Sequence, residues 1–566
     1  MPAVHAQSGN EAVLEQWSEQ TGEQVQVSRD EAGGVTWSVS ASVDAYQRRV
    51  EAPADSQELT PYRNGDFHSV TTSGEWQSQK GDGQTSHVFF ANTHSSDPAI
   101  HSLYRNQITT LQAGFGDASR RAAAGDVVAN FSMLGASTGL RGISAQWQGS
   151  RHSVEGFSGV VVHSWETLFG TKALPDASDV PLRKRNVHGL KFNTALNEQV
   201  TVFATVQTFD DRKLSGMAAS VAGDSSYADS LPEPAYNAQS STLGLSYRRS
   251  FGGGQTLDLV MEQGWSRAGN TSQASRTSAQ AHNLNLQGSV PWSDGQYSLG
   301  LGHHELGMQW TGLGAAAYPG SRESYLTNGL QWDNGFSWLH DWRDGMSRQP
   351  WGDDVYEARL MTSTHQIGWQ PEWMNGGMLA LHDIRTRSSD NADNTSRAHK
   401  TQASVSMVSG GWQGSAQSGL SGQDVIAESG ERERVRDWQV SVGHSAQDLA
   451  QNAFRLSSYS ASVFAGRKSH LSRGDGRMVV RSVGFDLSSY SPVWGSLSLS
   501  HSRQWVRLAA GGEEVPTRNT TLDYVKELQN GLTFRIYASR LDQNLGLPYA
   551  ELNEKLVGVQ LSKSFQ

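Results

Sequence analysis

Along most of the chain, apolar and polar side chains alternate with a period of two. Leu532, Phe534, Ile536 and Ala538 are interleaved with Thr533, Arg535, Tyr537 and Ser539. Successive side chains of an extended strand point to opposite faces, so this segment has one oily and one wet surface. The same dyad sets Leu257, Leu259 and Met261 against Asp258 and Glu262, and Val483, Phe485 and Leu487 against Ser482, Gly484 and Asp486. It returns in Leu243, Leu245 and Tyr247, and in Leu284, Leu286 and Val290. Helical periodicity is almost absent, so the pattern predicts one very large antiparallel sheet.

Tight turns punctuate the alternation at residues 252–254, Asp294-Gly295, Asn334-Gly335, residues 375–377, Gly410-Gly411, near Asn452, near Pro492 and at Asn530-Gly531. They recur every 35 to 45 residues or so, which fits two membrane-crossing strands of about 10 residues each plus one longer connection. Soluble all-β domains stop at roughly 250 residues and space their turns more closely. No Pro-rich or Ser-rich linker divides this chain. Closing the sheet removes its edges, and in lipid closure is compulsory because every backbone N–H and C=O needs a partner without water. The expected fold is all-β, a single large antiparallel transmembrane β-barrel of about 24 to 26 strands, with short turns at one end and long loops at the other.

In chain order, the first strand is expected over residues 35–46, followed by a charged connection over 48–64 and a return to a turn at 81–83. Strands over 86–91 and 107–114 precede a turn near Gly116-Asp117. Residues 166–185 and 210–239 are too long and irregular for turns and are expected on the loop side or folded into the lumen. Further polar loops are expected over 269–277, 387–401, 422–434 and 509–518, with Glu431, Arg432, Glu433 and Arg434 as a solvated loop.

Composition narrows the chemistry. The chain has 566 residues, 36% of them hydrophobic, a formal charge of -10 and no Cys. No apolar run approaches the roughly 18 to 20 residues of a spanning helix. The lack of Cys removes disulfides, thiolate metal sites and Cys nucleophiles together. Mild acidity argues against a nucleic-acid partner, whose phosphates call for a basic stripe. His303-His304-Glu305 is the densest group of potential ligands, but neighbours on a strand face opposite ways and the two His do not share an ion. His340, His365 and His382 fall on different strands, and no glycine-rich phosphate loop precedes a helix. No catalytic, cofactor-binding or metal-binding residue is therefore expected.

Function is instead expected on the wet face. Asp258, Glu262, Asp486, Arg535 and Tyr537 are the candidate lumen-facing residues. Arg481 falls on the lipid side, near enough to a strand end to reach the headgroup region. Trp292, Trp332, Trp373, Trp412 and Trp494 lie beside the short turns, where amphipathic rings form an interfacial girdle.

The chain ends Leu556-Val557-Gly558-Val559-Gln560-Leu561-Ser562-Lys563-Ser564-Phe565-Gln566, with Val557, Val559, Leu561 and Phe565 on one face of a closing strand. This resembles the last strand of Gram-negative outer-membrane β-barrel proteins, in which a terminal aromatic is read by the barrel-assembly machinery; here Phe565 is penultimate. The resemblance implies an outer-membrane location, short periplasmic turns, long extracellular loops, and outer-membrane lipid and the assembly machinery as partners. Residues 1–7, with Val4-His5-Ala6, read as a possible signal-peptide remnant. Residues 8–33 read as a periplasmic arm or plug, and 34–566 as the barrel.

One stretch differs from the rest. Gly125-Asp126, Phe131-Ser132 and Leu140-Arg141-Gly142-Ile143 are similar to a hairpin in the barrels of fimbrial ushers. The same residues also read as an ordinary tight hairpin whose glycines permit close backbone approach. No stretch is long enough for the plug and periplasmic domains of a full usher. The expected function is a conduit, a porin or secretion channel passing a polymer such as an exopolysaccharide or an extended protein. The alternatives are a scaffold barrel sheathing a periplasmic or lumen-occupying partner protein, as in electron conduits, or an usher-like assembly platform. An outer-membrane hydrolase is a third reading.

Overall fold

In the computed structural model the described residues are 34–51, 63–81, 83–97, 105–161, 165–169, 183–213, 236–270, 276–312, 319–351, 354–374, 376–392, 394–426, 432–447, 455–472, 476–507, 514–544 and 551–565. The segments expected over 1–7 and 8–33, and most of both long connections, lie outside them. Among the described residues no helix is long and apolar enough to cross a membrane.

The alternating segments form a single sheet of 26 antiparallel strands. The first six are β1 (Val35–Glu51), β2 (Gly65–Gln79), β3 (Thr85–Ser95), β4 (Asn106–Gly116), β5 (Arg120–Asn130) and β6 (Ser137–Gln148). Next come β7 (His152–Val161), the short helix α1 (Trp165–Phe169), β8 (Arg183–Ala195), β9 (Val200–Lys213), β10 (Tyr236–Ser250), β11 (Thr256–Asn270), β12 (Arg276–Pro291) and β13 (Gly295–Leu306). Then follow β14 (Ser321–Trp332), β15 (Phe336–Trp351), β16 (Asp354–Trp369), β17 (Met378–Asp390), β18 (Thr395–Ser409), β19 (Trp412–Ile426) and β20 (Arg432–Gln447). The last six are β21 (Ser458–Ser472), β22 (Gly476–Ser491), β23 (Gly495–Arg507), β24 (Glu514–Glu527), β25 (Leu532–Asn544) and β26 (Glu551–Phe565). Each pairs with its neighbours in sequence, and β1 pairs with β26 from Val39 opposite Phe565 to Glu51 opposite Asn553. The sheet is a closed barrel.

Strands run further toward the loop end than the hydrophobic pattern indicates. The first continues through Arg48 to Glu51, and the expected loops over 269–277, 387–401, 422–434 and 509–518 are paired in part: Arg387 lies opposite Arg397, Glu433 opposite Gln423, and Arg518 opposite Asp542. The first long connection is shifted to 162–182 and includes α1, and the second shortens to 214–235. The cause is backbone pairing, which continues where both faces are polar and alternation is no longer visible in the sequence.

Side chains lock the closing seam as well as the ladder. Tyr537 on β25 donates to both oxygens of Asp44 on β1 at 2.8 and 2.9 Å. Arg48 on β1 holds Glu554 of β26 at 3.0 Å and the fully buried Asp97 at 2.6 Å, with Tyr46 also donating to Asp97. Removing one member of a buried pair leaves an uncompensated charge, which costs roughly 3–5 kcal/mol. Arg48→Met is therefore expected to destabilise the refolded barrel by about that amount in urea unfolding, whereas Tyr537→Phe, which removes one hydroxyl, should cost about 1 kcal/mol. Equal effects from the two would contradict the role given to Arg48.

Candidate functional site

One hairpin leaves the wall. β5 pairs with β4 only from Arg121 to Gly125, and β6 pairs with β7 only from Arg141 to Gln148. Beyond those points, β5 and β6 pair with each other alone, up to Asn130 opposite Ser137. Their tip reaches β11 to β13: Ser132 Oγ donates to Glu262 Oε1 at 2.5 Å, the Leu134 N–H to Glu262 Oε2 at 3.2 Å, and Leu134 packs with Ala281, Leu306 and Trp310. A segment that spans from β4 to β13 without following a closed wall is a chord, and a chord lies inside. Glu262, Ala281 and Leu306 therefore point into the lumen. Directly opposed residues of an antiparallel pair share a face, so the register assigns an inner and an outer face to every strand.

Sequence dictates what holds the hairpin there. On β5, Val127 is 4% exposed and Val128 48%, so the face carrying Val127 and Ala129 is the packed one. With Phe131 and Leu140 it forms an apolar cluster against Phe157, Val187, Phe209, Ala238 and Ala268 of the inner wall. The Phe131 and Phe157 rings lie 4.9 Å apart. The wall is hollowed to receive them: a Cβ on Gly189 would stand 2.9 Å from Phe131 and 2.3 Å from Phe157, and one on Gly264 would stand 2.5 Å from Trp310. Lys191 Nζ caps the Phe131 carbonyl. Buried polar wall residues pair with one another, Gln207 Nε2 donating to Ser240 at 2.7 Å and Thr205 facing Thr242 at 2.8 Å, while Gln207 Oε1 has no partner among the described residues.

Departure of two strands strips partners from β4. Gly125, at φ +109 and with its Cα so placed that a Cβ would lie 2.0 Å from the Leu111 carbonyl oxygen, is where β5 turns inward. The freed Leu111 N–H donates to Asp126 Oδ2 at 2.7 Å, and the Ile108 N–H to Glu166 Oε1 of α1 at 2.6 Å. Asp126 also accepts from Trp165 Nε1 at 3.0 Å and faces Arg141 Nε at 3.4 Å, with the Arg141 guanidinium 5.6 Å from the Trp165 ring centroid. α1 thus stands against the section of wall the hairpin vacates, about 10 Å wide at a strand spacing near 4.8 Å.

Of the candidate lumen-facing residues, Glu262 is buried under the hairpin tip. Asp258 pairs with Arg248 at 2.6 Å near the turn end, and Asp486 is solvent-exposed on the inner face. Arg535 binds Asp523, and Tyr537 binds Asp44. Trp292, Trp373, Trp412 and Trp494 are exposed at the short turns, while Trp332 packs edge-on to Phe336. Val557, Val559, Leu561 and Phe565 are exposed together on the outer face of β26.

His303 and His304 face opposite ways, with His304 buried inward. Across the β12–β13 register, however, His303 stacks on His282 at 5.3 Å, and Glu305 approaches His282 at 3.8 Å, all on the outer face. Their ligand atoms lie within 4.8 Å of one another. Reading His303 with its chain neighbours alone misses that grouping. His340 and His365 stack at 4.4 Å outside, and His382 faces inward on β17. Ser363 Oγ is 3.4 Å from both outer rings, but the adjacent Asp383 is engaged by Thr401 at 2.6 Å and Arg385 at 3.0 Å, so among the described residues no carboxylate hydrogen-bonds either imidazole. Asp126 and Ser132 lie in the hairpin segment noted in the sequence, whereas Leu134, Trp165, Glu166 and Trp310 carry the site but were not singled out there. The available signal was the interior side of β7 to β11, where Phe157, Val187, Phe209, Ala238 and Ala268 stand at positions that should be wet.

No family model matches the sequence, and no curated protein matches it. Among solved structures the chain is similar to the siderophore receptor PirA from Pseudomonas aeruginosa, at 9% identity and a TM-score of 0.38 over 94% of this chain and 80% of that one. It is similar to the P pilus usher translocation pore at 11% identity and a TM-score of 0.33, over 94% of this chain and 99% of that one. A third is OccK11 from Pseudomonas aeruginosa, at 11% identity and a TM-score of 0.33 over 69% and 96%.

Truncating a buried Phe costs about 3–5 kcal/mol, and each 1.4 kcal/mol is tenfold in an equilibrium. Phe131→Ala is expected to raise the undocked population a hundredfold or more, read as faster proteolytic nicking within 131–136 in the folded barrel. Val128→Ala, on the hairpin's exposed face, should leave the rate unchanged.

Proposed function

We propose that this chain is an outer-membrane channel for an extended polymer, constricted by the β5–β6 hairpin. The observation that carries the reading is the hairpin itself, held by a dedicated apolar cluster inside a barrel that side chains cannot fill. With 26 strands at a spacing near 4.8 Å and a tilt near 40°, a round wall is on the order of 50 Å across. Outside, an apolar band of exposed Val, Leu, Ile and Phe, bordered by Trp292, Trp373, Trp412 and Trp494 at the turn end, suits lipid. In this reading those Trp residues with Trp332 form the periplasmic interface girdle, and the outward row Val557, Val559, Leu561 and Phe565 is what the barrel-assembly machinery engages.

The inner wall away from the hairpin favours a polar polymer. Ser404, Gln417, Gln439, Ser482, Gln504 and Thr517 form one row across β18 to β24, interrupted on β21 by Gly466. Hydroxyl and amide groups exchange hydrogen bonds readily with sugars or peptide and hold no fixed charge, so a chain slides past without a deep binding site. Asp258, Asp486, Arg535 and Tyr537 add isolated charges and one phenol to that surface, most already paired across strands.

Planar-bilayer recording tests the channel. Wild-type protein is expected to conduct weakly, and the Phe131→Ala/Glu262→Gln variant severalfold more. Because the chain has no Cys, Ser132→Cys/Glu262→Cys joined by a short thiol-reactive linker should stay in the low state even with Phe131→Ala present. A folded barrel whose released hairpin conducts no better than wild type would overturn the reading. Mild extraction that yields an equimolar second protein would favour the sheath instead.

A further inference from the structure

Resting on the membrane reading above, a second feature of the outer wall points to a ligand. On β20 to β1 the band of exposed apolar side chains gives way to a row of cations, with Leu471 and Trp505 the apolar side chains beside or beyond it. Above Val483, Phe485 and Leu487 comes Arg481; above Ile536 and Ala538 comes Arg540; above Val557 comes Lys555. The register sets these cations directly against one another: Arg467 opposite Arg481, Arg503 opposite Arg518, and Arg540 opposite Lys555, which itself lies opposite Arg49. All occupy the outer face, and all but Arg503, which rests on Trp505 at 4.8 Å, are exposed. Like charges placed directly opposite destabilise a sheet. Here the arrangement occurs three times side by side on consecutive hairpins.

Carboxylates on the same face neutralise only part of it. Glu514 serves Arg507 at 2.7 Å and Arg481 at 3.9 Å, and Asp542 serves Arg540 at 2.9 Å. Among the described residues no carboxylate lies within ion-pair distance of Arg467, Arg503, Arg518 or Lys555. Counting strand rise from the turns, the row stands about 20 to 25 Å above the short-turn end, the height at which a barrel's apolar band of about 25 Å meets the headgroups. Arg is the residue suited to bidentate phosphate contacts.

We propose that this row is a docking surface for phosphate-bearing lipid headgroups of the outer leaflet, which supply the anions that the opposed cations lack. Phosphates seated between opposed guanidinium groups turn three repulsive pairs into bridged ones. They also fix the depth and tilt of this side of the barrel against the bilayer.

The experiment places the full-length barrel in nanodiscs of equimolar phosphatidylglycerol and phosphatidylcholine and counts retained lipids by native mass spectrometry. Wild type is expected to retain phosphatidylglycerol about fivefold over phosphatidylcholine. The variant Arg467→Gln/Arg481→Gln/Arg503→Gln/Arg518→Gln should fall to near parity, and the corresponding four Arg→Lys changes should keep most of the preference. Lys468→Gln, on the inner face beside Arg467, should keep all of it, and heat-modifiable migration confirms that each variant is folded. Parity in the wild type, or an undiminished preference in the Gln variant, overturns the proposal while leaving the channel intact. Failure to insert into pure phosphatidylcholine and into the mixture alike would overturn the membrane reading and this inference together.

Discussion

Everything in this molecule follows from the requirement that backbone N–H and C=O groups find partners along a wall with no free edge. The β1–β26 ladder meets that requirement at the seam, where residues from opposite ends of the chain, Asp44 with Tyr537 and Arg48 with Glu554, add side-chain bonds. Among the described residues the β5–β6 hairpin departs most from the rule, and its consequences are local and repaired. Asp126 and Glu166 replace the strand that Leu111 and Ile108 have lost. Two carboxylates aimed at backbone donors do what a neighbouring strand does elsewhere, with the stronger bonds that ionised acceptors make.

The fold was legible because a barrel's two faces impose a period of two on each strand, and because turns such as Asn334-Gly335 and Asn530-Gly531 need backbone conformations that few residues adopt; Gly335 and Asn530 do have positive φ. Strand ends were less legible. Above the apolar band both faces are polar, so Arg387 to Arg397 and Glu433 to Arg434 lose their alternation while their backbones stay paired. Grouping across strands was not legible at all: His282 joins His303 and Glu305 through a register that no single segment encodes. The unusual composition of residues 125–148 was visible in the sequence, but its meaning required knowing which wall the hairpin packs against.

Inside the barrel the same chain provides two kinds of surface. From β7 to β11 the inner positions hold Phe157, Val187, Phe209, Ala238 and Ala268, closed over by the hairpin. Across β18 to β24 they hold Ser, Gln and Thr, open to the lumen. Uncovered, the first surface would expose apolar area to water, at about 25 cal/mol per Å². The second gains nothing from being covered. That contrast places the hairpin against one side of the inner wall.

The hairpin's own pattern shows why it is not a pair of ordinary wall strands that happen to bend. Extended upward in the wall, β5 would turn Asp126 outward, and β6 would turn Arg141 outward, within the height of the apolar band, while Val127, Ala129 and Leu140 would face the lumen water. An ion pair facing lipid is costly, and the apolar residues would gain nothing in exchange. Folded inward, Asp126 meets Arg141, Trp165 and the Leu111 N–H, and Val127, Ala129 and Leu140 meet Phe157, Val187 and Phe209. The dyad beyond Gly125 thus encodes the inward position of the hairpin, with its tip held at Glu262 and its base at Asp126.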